Sequence, residues 1–203
     1  MSYRYYNTLE IIGDKAQIEA VKKFIRGTQD NWGREIYFDF NKVVKMPEEI
    51  ETEYEKLFGK HAKAFSEKEL FLKENEELVN IQQECLIKLE NWRYDNWHSK
   101  CPAIQQTMED ENIINYTTIN GRGITVVEKL SKLFSGIIFV FFSLCDSPDD
   151  EIYHFINGEI MLFAETDYYS ETILKNFNQN GSFSKLENRE IEFLKKNGLK
   201  SIE

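Results

Sequence analysis

Ten residues past the middle of the chain, GIIFVFFSLC (136–145), limit what it can fold into. The run is about half the length a helix needs to span a bilayer. Its phenylalanines, isoleucines and valine favour extended backbone. It reads as a buried strand, and the rest of the chain must supply its neighbours. The segment EIYHFINGEIMLFAE (151–165) reads as a hairpin, because Asn157-Gly158 between apolar runs is the strongest short-range signal for a type I′ turn. RYYNTLEIIG (4–13), closed by Gly13, and ENIINYTTIN (111–120) are two further strands. REIYFDFNKVV (34–44), with Ile36, Phe38 and Phe40 on one face, is predicted as another.

Between them lie segments with helical punctuation. DKAQIEAVKKFIRG (14–27) has Asp14 and Gln17 placed as a capping box, Gly27 as its stop, and Ile18, Val21, Phe24 and Ile25 as its buried stripe. TVVEKLSKLFSG (125–136) repeats the pattern with Thr125 and Glu128, turning Val127, Leu130, Leu133 and Phe134 inward. From Pro47 the chain changes to long helices. PEEIETEYEKLF has proline in the first turn and acids where the helix dipole favours them. Residues 66–92 place Leu78, Ile81, Cys85, Leu89 and Trp92 at spacings of three and four. Without this helical stretch the order is β-α-β, β-α-β, then a hairpin. The fold class is therefore α+β: a ferredoxin-like repeat forming an antiparallel sheet with both helices on one face. Residues 1–165 form that domain, with a helical insertion at about 46–95. Residues 166–203 are a C-terminal extension, with a loop at NQNGSFS (178–184) and a capped helix at 184–198.

Composition excludes several function classes. With 41% hydrophobic and 14% aromatic residues, the 203-residue chain can build a real core, and three prolines and ten glycines argue against a long disordered segment. The net charge of -10 opposes direct nucleic-acid binding, which needs clustered Lys and Arg, and suits a partner with a basic surface. Cys85, Cys101 and Cys145 are odd in number, widely spaced and form no CxxC pair. The opening MSYRYYNTLE has no apolar core of a signal peptide. A reduced, cytoplasmic setting without membrane contact is expected. No cofactor or metal is expected either. His61 and His154 are isolated, NGRGI (120–124) lacks a phosphate-loop pattern, and DSPDDE (146–151) lacks calcium-loop spacing and reads as a solvated turn.

The segment NWRYDNWHSKCPA (91–103) is the densest in chemistry. A Cys101 nucleophile activated by His98 needs a base from a separate chain segment and a third orienting group, and neither is evident. Trp92 and Trp97 instead read as the lid of a core. The polar edge of that lid, Trp97, Tyr94, Arg93 and Lys100, has the composition of an interface hot spot. The other candidate surface is acidic: Glu48, Glu51 and Glu55 share one helix face, and Glu49 and Glu53 form the neighbouring row.

In FDFNKVVKMPEEI (38–50), Phe40, Asn41, Lys42, Val43, Val44, Met46, Pro47, Glu48 and Glu49 follow a pattern of FNK, two β-branched residues and PMPEEL, with Lys45 in place of the first proline. Asn96, Trp97, Lys100 and Ala103 follow a later ENWGTKWNA-like segment, with His98 at the usual glycine and Cys101 at the second tryptophan. In these motifs, across about residues 5–165, the chain resembles the YubB-like family of ferredoxin-like domains in bacterial, plasmid and phage proteins. The resemblance implies the fold and a mobile-element context, and brings no biochemical activity with it. Together with the small acidic chain and the missing catalytic motifs, it leads to the expectation of a non-enzymatic binding protein. The sharper form is an acidic inhibitor of a host defence effector such as a CRISPR nuclease, its partner a basic surface or a ribonucleoprotein. The alternatives are an enzyme acting on a nucleotide or small metabolite, using His98, Cys101 and the acids of 146–151, or a structural module that oligomerises through a sheet edge.

Overall fold

The apolar run lies deep in a six-stranded antiparallel sheet. A computed structural model describes residues 3–30, 33–58, 76–145 and 151–165. Along the chain, β1 (Arg4–Ile12) leads to α1 (Lys15–Ile25), the short α2 (Phe40–Val43), α3 (Glu48–Phe58) and α4 (Glu76–Trp97). Then come β2 (Ile104–Asp110), β3 (Ile113–Ile119), α5 (Ile124–Leu133), β4 (Ile138–Cys145), β5 (Glu151–Ile156) and β6 (Glu159–Glu165). The sheet order is β2-β3-β1-β4-β5-β6, and every neighbouring pair is antiparallel.

Pairing register divides the side chains into two faces. Leu9 stands between Ile114 and Phe141, and Phe139 between Ile11 and Phe155. This face belongs to one core with Val21 and Ile25 of α1, Ile50 and Tyr54 of α3, Cys85 and Leu89 of α4, and Val126, Val127 and Leu130 of α5. All the longer helices therefore cover the same side, and the helices after Pro47 are part of the domain's own core. The opposite face carries Val140, Phe142 and Leu144, packed with Tyr6, Ile12 and Ile138.

Local chemistry accounts for the boundaries. Asp14 and Gln17 form the reciprocal capping box at the start of α1. Asn157 and Gly158 both have positive φ, as a type I′ turn requires. The turn is also tied down: Gly136 N–H donates to Asn157 Oδ1, and Gly158 N–H donates to Ser131 Oγ of α5. A buried polar chain crosses three strands, with Ser143 Oγ donating to Asn7 Oδ1, Asn7 Nδ2 to Thr118 Oγ1, and Thr118 Oγ1 to Gly121 O at 2.6 Å. Each of its members has a partner, so it fixes the loop after β3 without leaving a desolvated group unpaired.

Several expectations are corrected. Residues 34–44 do not enter the sheet. Ile36 turns back on its own loop, accepting from Gly27 N–H and donating to Thr28 O, with one isolated bridge between Gln29 and Glu35. Asp39 then caps α2 by accepting from Asn41 N–H. The backbone of Phe38 is satisfied by a side chain: its N–H donates to Gln106 Oε1 at 2.7 Å, and Gln106 Nε2 donates back to its carbonyl at 3.0 Å. The place beside β3 is taken by β2, whose polar sequence IQQTMED carries no clear alternation and whose register shifts twice, with Gln105 at φ 51. Gly27 does not stop α1 in a left-handed turn. The helix ends at an extended Arg26, and Gly27 allows Ile36 to approach, since a Cβ there would meet Ile36 Cγ2 at 2.9 Å. Phe24 sits at the surface, edge-on to Phe134.

At α5 the expected Thr125 cap is replaced by Gly123 in a left-handed conformation, because Thr125 Oγ1 donates to Asn96 O instead and Glu128 pairs with Lys132. Leu133 points outward, and Ser131 takes the buried position. α4 runs on to Trp97, and its buried row is Gln82, Cys85, Leu86 and Leu89, which leaves Ile81 at the surface. Residues 66–75, 146–150, His61 and the loop and helix expected after 178 lie outside the described residues.

Candidate functional site

Two regions of α4 carry the predicted residues, and they differ in kind. At its C-terminal end, Trp97 is 2% exposed. Its Nε1 donates to Val44 O at 2.9 Å, and its ring meets Trp92 and Phe40 edge-to-face. The indole thus satisfies its one polar group while filling the core. Arg93 lies over the Trp97 ring at 5.6 Å, and its Nη1 reaches Lys100 O at 3.5 Å. Its buried Nε has no hydrogen-bond partner among the described residues. Desolvation pulls the guanidinium's pKa down, while Cys101, Tyr54, Glu90 and Glu51 push it back up. Lys100 is engaged with Glu90 at 2.7 Å. Of the four residues expected as one polar edge, Trp97 is buried and Arg93 half-buried, while the side chains of Tyr94, beside the His98 ring, and Lys100 reach solvent.

The thiol and imidazole of this corner are not arranged for nucleophilic catalysis. Burial pushes the Cys101 thiol up to about 11, and the Ser99 hydrogen bond and the Arg93 charge only partly oppose this. A reactive cysteine needs the opposite, a thiolate stabilised near neutral pH. His98 sits at φ 55, and its buried Nδ1 has no partner among the described residues. Its carbonyl accepts from Gly123 N–H at 3.0 Å, so the strained residue joins the end of α4 to the loop before α5. Gly121, at φ 152, is required at this crossing, because a Cβ would come within 2.3 Å of His98 O.

Further back along α4, an open groove of about 660 Å³ runs between α3 and α4. It is lined by Glu48, Glu49, Thr52, Glu53, Lys56, Leu57 and Ile81. The lining follows from α3 using Ile50 and Tyr54, one turn apart, to enter the core, which rotates the 48, 49, 52, 53 and 56 positions outward. Glu53 is held across the groove by Lys88 at 2.6 Å. The result is an acidic rim around an apolar floor, with Ile81 46% exposed. Glu48 is where the sequence placed it, but its neighbours in the groove are Glu49 and Glu53. Glu51 instead lies near enough to Arg93 to stabilise its charge, and Glu55 also lies outside the groove.

Sequence reasoning missed Ile81 as a surface residue, because helical spacing alone assigned it to the buried row. The nearby acids were the signal that could have found it. Among the described residues, no group of three or more His, Cys, Asp and Glu could hold a metal ion, and no helix is long and apolar enough to cross a membrane. Comparison with protein-family models, with curated proteins and with solved structures found no match.

Proposed function

We propose that this chain is a non-enzymatic protein-binding module that docks a basic partner surface in the acidic groove between α3 and α4. The observation that carries the reading is the pairing of three glutamates with an exposed Ile81 in one concave surface. Acids steer a cationic partner toward the groove, and an apolar floor supplies binding free energy that charge alone does not. Support for a ferredoxin-like domain comes from the order β2-β3-β1-β4, with α1 after β1 and α5 between β3 and β4. Within this proposal the resemblance of residues 38–50 and 96–103 to YubB-like domains supplies the mobile-element context. The effector class is then a basic or RNA-bound host defence protein, with a CRISPR nuclease as the specific instance; that step rests on analogy of context.

The test is capture of partners from a native lysate by the full chain and by its Ile81→Asp variant. A basic protein or ribonucleoprotein retained by the first and lost by the second is the expected result. Partners retained equally by both would sink the groove as the docking site. Oligomerisation is favoured by a separate observation: β6 pairs with β5 on one side and with no strand on its other side among the described residues. Self-association in sedimentation, without lysate partners, would select that reading.

A further inference from the structure

Two large apolar side chains stand in solvent where the ends of α1 and α5 meet. Phe24 is 38% exposed and Leu133 57% exposed. The Phe24 ring touches that of Phe134, the residue after Leu133, edge-on at 5.4 Å. Each helix already buries its own stripe, Val21 and Ile25 in α1 and Val126, Val127 and Leu130 in α5, so folding does not require either exposed residue to be apolar. Exposed Lys23 adjoins Phe24 in the chain, and exposed Lys129 shares a face of α5 with Leu133, four residues on. Among the described residues neither lysine is in an ion pair, whereas Lys22 is held by Glu19 and Lys132 by Glu128. A lysine near a helix C-terminus suits the helix dipole, so this charge alone marks nothing. Two large apolar neighbours left in solvent beside it turn the corner into a basic ridge with an apolar crest.

The groove between α3 and α4 is the reverse of this ridge, three glutamates against one lysine around an apolar floor. We propose that a second copy of this chain seats its ridge in the groove, Leu133 and Phe24 against Ile81 and Leu57, with Lys23 and Lys129 among the rim glutamates. The inference rests on the groove being a docking site and adds an occupant whose chemistry is carried by the same chain. The groove lies where α3 packs on α4 and the ridge where α1 meets α5, so no residue belongs to both. The contact is therefore heterologous. Each copy offers its groove to one neighbour and its ridge to another, and copies add head to tail. A groove filled by a ridge is closed to any other basic surface, so self-association competes with the docking of another protein.

The test is sedimentation of the full chain, alone and in mixtures. Wild type should gain mass with concentration, and raising salt from about 0.05 to about 0.5 M should weaken the association several-fold by shortening the screening length. Ile81→Asp disables the groove and keeps the ridge, and Leu133→Asp does the converse. Each variant alone should stay monomeric. Their equimolar mixture should form one-to-one pairs that grow no further, because a single intact groove-and-ridge combination is left. A monomeric wild type, variants that still self-associate (the behaviour of pairing through β6), or a mixture that stays monomeric would each overturn the proposal. Both positions are exposed, and melting curves check that the variants fold. If either does not, a charge swap decides: Lys23→Glu with Lys129→Glu in one chain, Glu48→Lys with Glu49→Lys in the other. Each swapped chain should be monomeric alone and associate on mixing, and no association on mixing would overturn the proposal. Lysate capture separates the two readings of the groove. Partners lost by Ile81→Asp but kept by Leu133→Asp, beside a monomeric wild type, would sink the self-docking and leave the groove standing.

Discussion

The two halves of α4 use similar residue types to opposite ends. Near Trp97, the half-buried Arg93 lies against the indole ring, burial raises the pKa of the Cys101 thiol, and the Trp97 N–H is answered by backbone. Beside α3, charged side chains ring an apolar floor that is left open, and the main ion pair, Glu53 with Lys88, is exposed on both sides. Density of chemically active residue types therefore marks the structural corner, while the sparser, acidic stretch marks the surface proposed to accept a partner. A half-buried cation beside aromatics says more about packing than about recognition.

The comparison predicts a wide spread of mutational effects. Trp97→Ala should be the most damaging, costing roughly 3–5 kcal/mol in urea unfolding through the lost aromatic volume and the orphaned Val44 carbonyl. Wild-type stability in that variant would place Trp97 on the surface side of the comparison. Gln106→Ala should follow at roughly 2–3 kcal/mol, because both backbone groups of Phe38 lose their partner. Gln106→Glu should recover only the half of the loss that accepts from the Phe38 N–H.

The partly buried Cys101 thiol should appear in the pH dependence of stability. Its folded pKa of about 11 exceeds the ordinary 9.0, so the unfolded chain ionises first as pH rises. The native state then binds more protons, and stability falls by about 1.4 kcal/mol per pH unit across that window, with the full contribution present below pH 9. Cys101→Ala should flatten this slope. An unchanged slope in the variant would mean that the thiol is not the group responsible.

The smallest effect on folding should come from the groove. Glu48→Gln, Glu49→Gln and Glu53→Gln together should alter stability by no more than about 0.5 kcal/mol, since the charges are exposed. The same variant should bind its partner more slowly and with a weaker dependence on salt. Glu51→Gln with Glu55→Gln is the matched control and should leave binding unchanged. Equal losses in both sets would erase the distinction between the groove and the rest of α3.

Strong local patterns were legible in the sequence: the greasy run that became β4, the Asn157-Gly158 hairpin, and the Asp14–Gln17 cap. Each is set by residues close together in the chain. What escaped depended on distant partners. Phe38 and Phe40 look like a strand, yet both are buried because Gln106, far along the chain, supplies the strand's hydrogen bonds from a side chain. Thr125 has the form of a cap but serves Asn96. Ile81 fits the helical period of a core residue and lines the groove instead. The acidic face of α3 was legible from charge patterning, while which of its glutamates line the groove depends on where Ile50 and Tyr54 enter the core.

Gln106 also bears on how copies of this chain can meet. A sheet with two open edges can be extended at both ends, so strand-by-strand addition has no natural end point and leads to fibres. Here the β2 side is occupied by the amide clasp on Phe38 and bent at Gln105. If copies pair through β6 alone, growth terminates when two have joined. A single glutamine side chain would then set an upper limit on the size of any such assembly.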